Sequence, residues 1–299
     1  MAFPKQPPPL DGVVHTDVQV DRARWHVATA GDPEAPPMVL LHGWPQHWWM
    51  WRDLIGPLAS EHRVYVPDLR GFGWSDAPPG DYSKMGLAAD VVRLLDVLEI
   101  DRCVMVGHDW GGFLTWLTAI RAPERLERIV AMSIVHPWFR PEIGLRSAAS
   151  ALYQLPVITP LVNRVAQPQL PRLFRRFEAR GWTKEETRLY GDQWRRPGHA
   201  AAAAALYRTF LARELGQMAA GKYVQRRVTV PVVYATGAND PVIGPERIRG
   251  AEAHCDDLRT EIVQGAGHFL PEEQPGRVLD LILTSERVAL SGGERSETE

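Results

Sequence analysis

Val104-Met105-Val106-Gly107-His108-Asp109-Trp110-Gly111-Gly112 is the stretch that decides how this 299-residue chain folds. An apolar run enters a tight turn and a helix-forming segment leaves it, so the stretch reads as strand, turn, helix. Glycines stand two positions before and two after Asp109. That spacing describes an elbow that lifts one side chain above the end of a strand. Glycine is required there because the backbone and side chains come close together. With Asp at the elbow, rather than Ser, the chemistry changes. A carboxylate is ionised at neutral pH and attacks without a base. It suits displacement at a saturated carbon, which leaves an alkyl ester of the enzyme, and does not suit peptide or ester cleavage. The plain alternative is an Asp that caps the following helix.

Working outward, strands and helices alternate on both sides of the elbow. Val13–Val20 and Arg24–Ala30 alternate in polarity and read as a strand pair. Met38–Leu41, Val64–Pro67, Cys103–Val106 and Ile129–Val135 are short apolar strands. Helices are predicted over Trp49–Ser60, Met85–Leu98 and Gly112–Ile120. This alternation implies a parallel sheet with helices on both faces. From 137 to 228 the pattern turns helical. Leu170, Leu173, Phe174 and Phe177 form an apolar stripe, with Arg172, Arg175, Arg176 and Arg180 on the other faces, and Ala200–Ala205 is a run of strong helix formers. Strands resume at Val230–Thr236 and Arg259–Val263, and a helix is predicted over Pro275–Ala289. The reading is therefore one α/β core, 1–136 and 229–290, carrying an all-helical lid, 137–228, and a flexible tail, 291–299.

Asp240 follows the strand Val230–Thr236, in GANDP, and His268 follows the next strand, in GAGHF. Nucleophile, acid, histidine is the chain order expected of this kind of sheet. Singly, the Asp is an ordinary turn residue before Pro and the His is one of 10; together, in the right loops, they are a candidate triad. The loop Leu41-His42-Gly43-Trp44-Pro45-Gln46 follows the first parallel strand. Its backbone N–H at Trp44, with that of Trp110, can form an oxyanion hole. A simple strand-to-helix turn is the bland reading of the same residues.

Composition narrows the function classes. The net charge is −2 and the pI near 6.6, which argues against nucleic-acid binding. Two cysteines and no CxxC exclude a disulfide scaffold and a zinc site of that type. No apolar run reaches transmembrane length, and the opening MAFPKQPPPLDG lacks the apolar segment of a secretory signal. A reduced, cytoplasmic protein is expected. The 30 Arg against 4 Lys, with abundant Ala, fit a GC-rich bacterial genome. Charge divides unevenly: residues 137–228 hold 16 Arg and Lys against 6 Asp and Glu. A basic lid can steer anionic substrates or meet a membrane or subunit, and a solvated helix face is the simpler account.

With these motifs placed, the sequence resembles the α/β-hydrolase superfamily, specifically the Asp-nucleophile branch of epoxide hydrolases and haloalkane dehalogenases. HGWPQ (42–46), DLRGFGWSD (68–76), GHDWGG (107–112), GANDP (237–241) and GAGHF (265–269) carry the likeness across the core; the lid matches loosely. The resemblance implies a cis Trp44–Pro45 bond and structural roles for Asp68 and Arg70. It also implies two lid tyrosines as acids if the substrate is an epoxide. Tyr207, in Ala-Leu-Tyr-Arg, matches the second; Tyr153 is the candidate for the first, with Leu152 as the alternative register. Tyr190 reads as packing. Trp44 stands where many dehalogenases carry a halide-binding Asn, and Trp110 where fluoroacetate dehalogenases carry Arg, so both favour the epoxide branch. Ser133 stands where some dehalogenases place their acid, which leaves that role to Asp240. The expected site is thus Asp109, His268, Asp240, Tyr207 and Tyr153, with backbone N–H groups of Trp44 and Trp110, and a pocket lined by Trp44, Trp110 and His42. Trp48, Trp49 and Trp51 read as helix packing. Lid tryptophans Trp138, Trp182 and Trp194 keep the dehalogenase alternative open. A non-catalytic small-molecule-binding protein of the same fold is the alternative of another class; a complete Asp–His–Asp set argues against it. No metal or organic cofactor is expected. The expected partners are a small apolar or amphipathic epoxide and water, with a homodimer left open.

Overall fold

The alternating stretches near the start form an antiparallel hairpin, β1 (Val14–Val20) and β2 (Ala23–Ala30). The short apolar runs become β3 (Pro37–Leu41), β4 (Arg63–Pro67), β5 (Cys103–His108), β6 (Leu126–Met132), β7 (Val232–Gly237) and β8 (Leu258–Val263). One eight-stranded sheet runs β1-β2-β4-β3-β5-β6-β7-β8. It is antiparallel up to the β2–β4 pair and parallel from β4 onward. This computed structural model describes residues 3–140, 154–175 and 182–283.

The near-continuous apolar strands are explained by cover on both faces. Helices α2 (Lys84–Val97) and α3 (Trp110–Arg121) pack on the face that carries Val39, Leu41, Met105 and Ile129. The other face, with Met38, Leu40, Val104 and Val106, is covered by α1 (Arg52–Leu58) and by a helical stretch over 275–283. The N-terminal ends of α2 and α3 differ in a useful way. Ser83 caps α2 by accepting from the Gly86 N–H, whereas Asp109 precedes α3 without capping it. Its side chain is left for another purpose, and the capping alternative falls.

Two element boundaries differ from expectation. The predicted helix over Trp49–Ser60 is a tight 3₁₀ turn, Trp48–Trp51, followed by α1. The His47 side chain accepts from the Trp49 N–H and holds that turn. The strand predicted to reach Val135 ends at Met132, because Ser133 takes a left-handed φ of 49°. Trp48 and Trp51 are fully buried in the core, as packing residues.

Between β6 and β7 the described residues supply no strand. They form short helices, α4 (Gln154–Ile158), α5 (Val162–Ala166) and α6 (Leu170–Phe174), then α7 (Lys184–Asp192), α8 (His199–Thr209) and α9 (Leu215–Ala219). Leu170 and Phe174 are buried and Arg172 and Arg175 exposed, as the stripe predicts; Phe177, Arg176 and Arg180 lie outside the described residues. Thr183 and Glu186 close a capping box that starts α7. The Ala run sits in α8, which continues into a π-helical turn, Phe210–Glu214. The tail 291–299 lies outside the described residues. No helix among those described is long and apolar enough to cross a membrane.

Candidate active site

Asp109 sits at the junction of β5 and α3 with φ 50° and ψ −126°. A non-glycine residue in that region costs about 1–3 kcal/mol and persists only where surrounding structure enforces it. The enforcement is steric. A Cβ on Gly111 would lie 2.2 Å from the Leu41 carbonyl oxygen. The elbow therefore packs backbone to backbone against the end of β3, and Gly at 111 is obligatory.

The same closeness brings the loop after β3 onto the carboxylate. The Trp44 N–H donates to Asp109 Oδ1 at 2.8 Å. A Cβ on Gly43 would stand 2.3 Å from that oxygen, so only glycine lets the loop approach. The Trp44–Pro45 bond is cis, as the resemblance implied. Trp110 is the first residue of α3, and first-turn N–H groups have no partner within the helix. The Trp44 donor thus meets the carboxylate directly, and Trp110 offers an N–H in the adjoining first turn of α3.

His268 completes the candidate triad. Its Nδ1 lies 2.9 Å from Asp240 Oδ2, and its Nε2 lies 3.6 Å from Asp109 Oδ2. Asp240 Oδ1 accepts from the N–H groups of Val242 at 2.7 Å and Ile243 at 2.8 Å. Burial opposes the charged imidazole, but Asp240 and Asp109 outweigh it and raise His268 to about 10. Burial likewise opposes the Asp240 carboxylate; His268 and the two amides win and hold it below its ordinary value. The proton thus resides on the ring between two carboxylates.

Tyr207, on α8, is buried edge-on against Trp44 at 5.6 Å and Trp110 at 5.3 Å between ring centres. Tyr153 lies outside the described residues. Tyr190 donates to Glu272 Oε1 at 2.9 Å and is a packing residue. A narrow cleft beside the carboxylate is lined by Trp44, Pro45, Asp109, Phe174, Val242, His268 and Phe269. Its walls are mostly apolar, as ligand sites usually are.

Two expected pocket residues are not on that wall. His42 is fully buried, and its Nε2 accepts from the Leu69 N–H at 2.9 Å. It braces the chain after β4 rather than facing substrate. The Trp110 ring is absent from that lining and packs edge-on against Phe113, Tyr207 and Phe210. Asp68 and Arg70 are structural, as implied. Asp68 accepts from the N–H groups of Trp48 and Trp74, both at 2.8 Å. Arg70 pairs with Asp90 at 2.8 Å and stacks on Tyr82.

Sequence reasoning missed three supporting residues. His108 places its Nε2 2.7 Å from the His268 carbonyl oxygen. Gln193 donates to the Pro45 carbonyl at 2.6 Å and accepts from the Gly73 N–H at 2.8 Å, so it ties the helical insert to both loops. Glu272 is a fully buried carboxylate that accepts from Arg52, Gln46, Trp182 and Tyr190. His108 and Glu272 lie within four residues of Asp109 or His268, a proximity that was available as a signal.

A family model of the alpha/beta hydrolase fold matches residues 36–275. The chain belongs to the α/β-hydrolase family. This hydrolase is 31% identical to the AB hydrolase superfamily protein YfhM of Bacillus subtilis, over 92% of this chain and 98% of that one. It is 30% identical to the soluble epoxide hydrolase of a Corynebacterium species, over 91% and 96%. The solved structure of the epoxide hydrolase CorEH superimposes with a TM-score of 0.81 at 26% identity, covering 91% of the hydrolase and 98% of that chain. The likeness extends across the sheet and the insert alike, and several of the proteins that share it are named epoxide hydrolases.

Proposed function

We propose that this hydrolase converts a small organic epoxide to a vicinal diol through an ester on Asp109. The observation that carries the reading is the division of labour between the two carboxylate oxygens. Oδ1 is held by the Trp44 N–H, which leaves Oδ2, facing His268, to attack. In the first step Oδ2 forms a bond to an epoxide carbon, the carbon–oxygen bond of the ring breaks, and the ring oxygen takes a proton from Tyr207. Tyr153 is the proposed second acid. A tyrosine hydroxyl is protonated at neutral pH, and such general-acid help is worth about 10²–10⁴ in rate.

The resulting ester keeps Oδ1 as its carbonyl oxygen, already against an oxyanion donor. Esterification also cancels the Asp109 charge. His268 loses one of the two carboxylates that hold its proton, sheds that proton to the tyrosinate, and becomes a base. It then takes a proton from water, the hydroxide adds to the ester carbonyl, and the N–H groups of Trp44 and Trp110 stabilise the oxyanion. One such donor is worth about 10²–10³. Collapse releases the diol and restores the carboxylate, with Asp240 orienting His268 throughout. In this scheme residues 137–228 act as the lid that supplies the acid and closes the pocket, and water and the epoxide are the only reactants.

Haloalkane dehalogenation is the second reading, because the buried Trp110 indole N–H has no partner among the described residues. The Trp194 indole N–H shares that condition among the described residues, but two other lid indoles weigh against the reading. Trp182 donates to Glu272 at 2.8 Å and Trp138 to the Tyr223 carbonyl at 2.7 Å, so neither is offered to a halide. Diol formation from racemic styrene oxide, with Asp109→Ala as control, separates the readings. The epoxide reading expects turnover that the control lacks. Halide release from a haloalkane panel, with no diol from styrene oxide, would favour the second.

A further inference from the structure

Lys84 is an unusual residue for its place: the first residue of α2, in the core, with its side chain 1% exposed. Burying an ammonium is costly unless it is paired and hydrogen-bonded. Apart from a long contact to the Tyr82 carbonyl at 3.5 Å, its polar partners belong to one arm of the helical insert. Nζ forms an ion pair with Glu214 Oε2 at 2.8 Å, donates to Thr209 Oγ1 at 2.9 Å and donates to the Leu206 carbonyl. The Lys84 N–H donates to Glu214 Oε1 at 2.8 Å. Thr209 in turn donates to the Tyr82 carbonyl at 3.0 Å.

These contacts bracket Tyr207. Leu206 precedes it, Thr209 follows by two residues, and Glu214 ends the π-helical turn that extends α8. Such π turns shift the helical register locally, and here the residue that closes the turn is the one that meets Lys84. On its core side the ammonium lies 5.1 Å from the centre of the Trp110 ring and 5.6 Å from that of Phe210. One side chain therefore touches both the arm that carries Tyr207 and the residue next to Asp109.

We propose that Lys84, through Leu206, Thr209, Glu214 and the Trp110 ring, is a positioning residue that sets Tyr207 over Asp109 for the ring-opening step. The inference rests on the epoxide reading for its kinetic consequence and on the contacts alone for its structural one. A displacement of about 1 Å from the reactive geometry costs on the order of 10²-fold, which sets the scale.

The test uses the full chain with His268→Gln, so that ester formation from styrene oxide is followed alone by intact mass. Lys84→Met is expected to slow ester formation by about ten- to a hundred-fold. Combined with Tyr207→Phe it is expected to add almost nothing further, since both remove the same contribution. Thr209→Val, which buries no unpaired charge, gives a smaller loss of the same kind and serves if Lys84→Met does not fold. Amide exchange across 206–214, followed by mass spectrometry without substrate, is expected to quicken at least about tenfold in Lys84→Met while β5 is unchanged. Rates within twofold of the parent, or fully additive losses with Tyr207→Phe, would overturn the kinetic proposal. If the parent itself forms no ester, the epoxide reading is what has failed. Amide exchange then decides the positioning role, and unchanged exchange overturns it.

Discussion

The core loops and the helical insert meet at one cavity but hold their residues by different means. Asp109, Trp44 and His268 stand on turns at the ends of β5, β3 and β8, where backbone touches backbone and only certain residue types fit. Tyr207, Phe174 and Gln193 stand on helices, held by side-chain packing and by a few bonds across to the core. The Asp109 carboxylate is fixed by backbone packed against backbone, from the elbow to the end of β3. The tyrosine proposed to serve it is held by side-chain contacts instead. The first arrangement is rigid by construction, and the second depends on staples such as Glu272 and Lys84.

Substitutions in the two regions are expected to act differently. Tyr207→Phe leaves the elbow and triad intact and is expected to slow ring opening by about 10²-fold, measured as pre-steady-state ester formation. A loss as deep as that of Asp109→Ala would erase the distinction between nucleophile and acid. Glu272→Ala strips a buried partner from Arg52, whose side chain is 8% exposed. Breaking a buried pair costs about 3–5 kcal/mol, to be read from denaturant unfolding. A cost under about 1 kcal/mol would mean that the insert is held elsewhere.

A further effect concerns pH. His268 has a folded-state value of about 10 against about 6.5 when unfolded. Its contribution to stability is therefore full below about pH 6.5 and falls as pH rises towards 10. Asp240→Asn removes the carboxylate 2.9 Å from Nδ1 and is expected to flatten that part of a plot of Tm against pH. An unchanged slope would show that Asp240 is not what holds the proton.

These two regions were also unequally legible. The elbow, the acid and the histidine could be read because G-x-Asp-x-G, GANDP and GAGHF each encode a turn with a steric reason behind it. The parallel sheet with helices on both faces could be read from the alternation of apolar runs and helices. The boundaries that slipped, at Trp48 and Ser133, lie where one side chain or one left-handed residue decides the matter. His42 and the Trp110 ring were misplaced because adjacency in sequence does not tell which way a ring turns. Glu272 collects partners from residues as far away in sequence as Gln46 and Tyr190, and no local pattern announces that. The insert offered periodicity, which yields helices and exposed arginines, but not the packing that brings Tyr207 to the tryptophans.

In the proposed reaction Asp109 attacks first and His268 acts afterwards. The most direct test of that order is the intact mass of His268→Gln after exposure to styrene oxide, with the modified peptide mapped. The account predicts a protein heavier by one substrate molecule, with the ester on the peptide that carries Asp109 and slow release of diol. Unmodified protein under conditions where the parent enzyme turns over, or an adduct on any other residue, would contradict it.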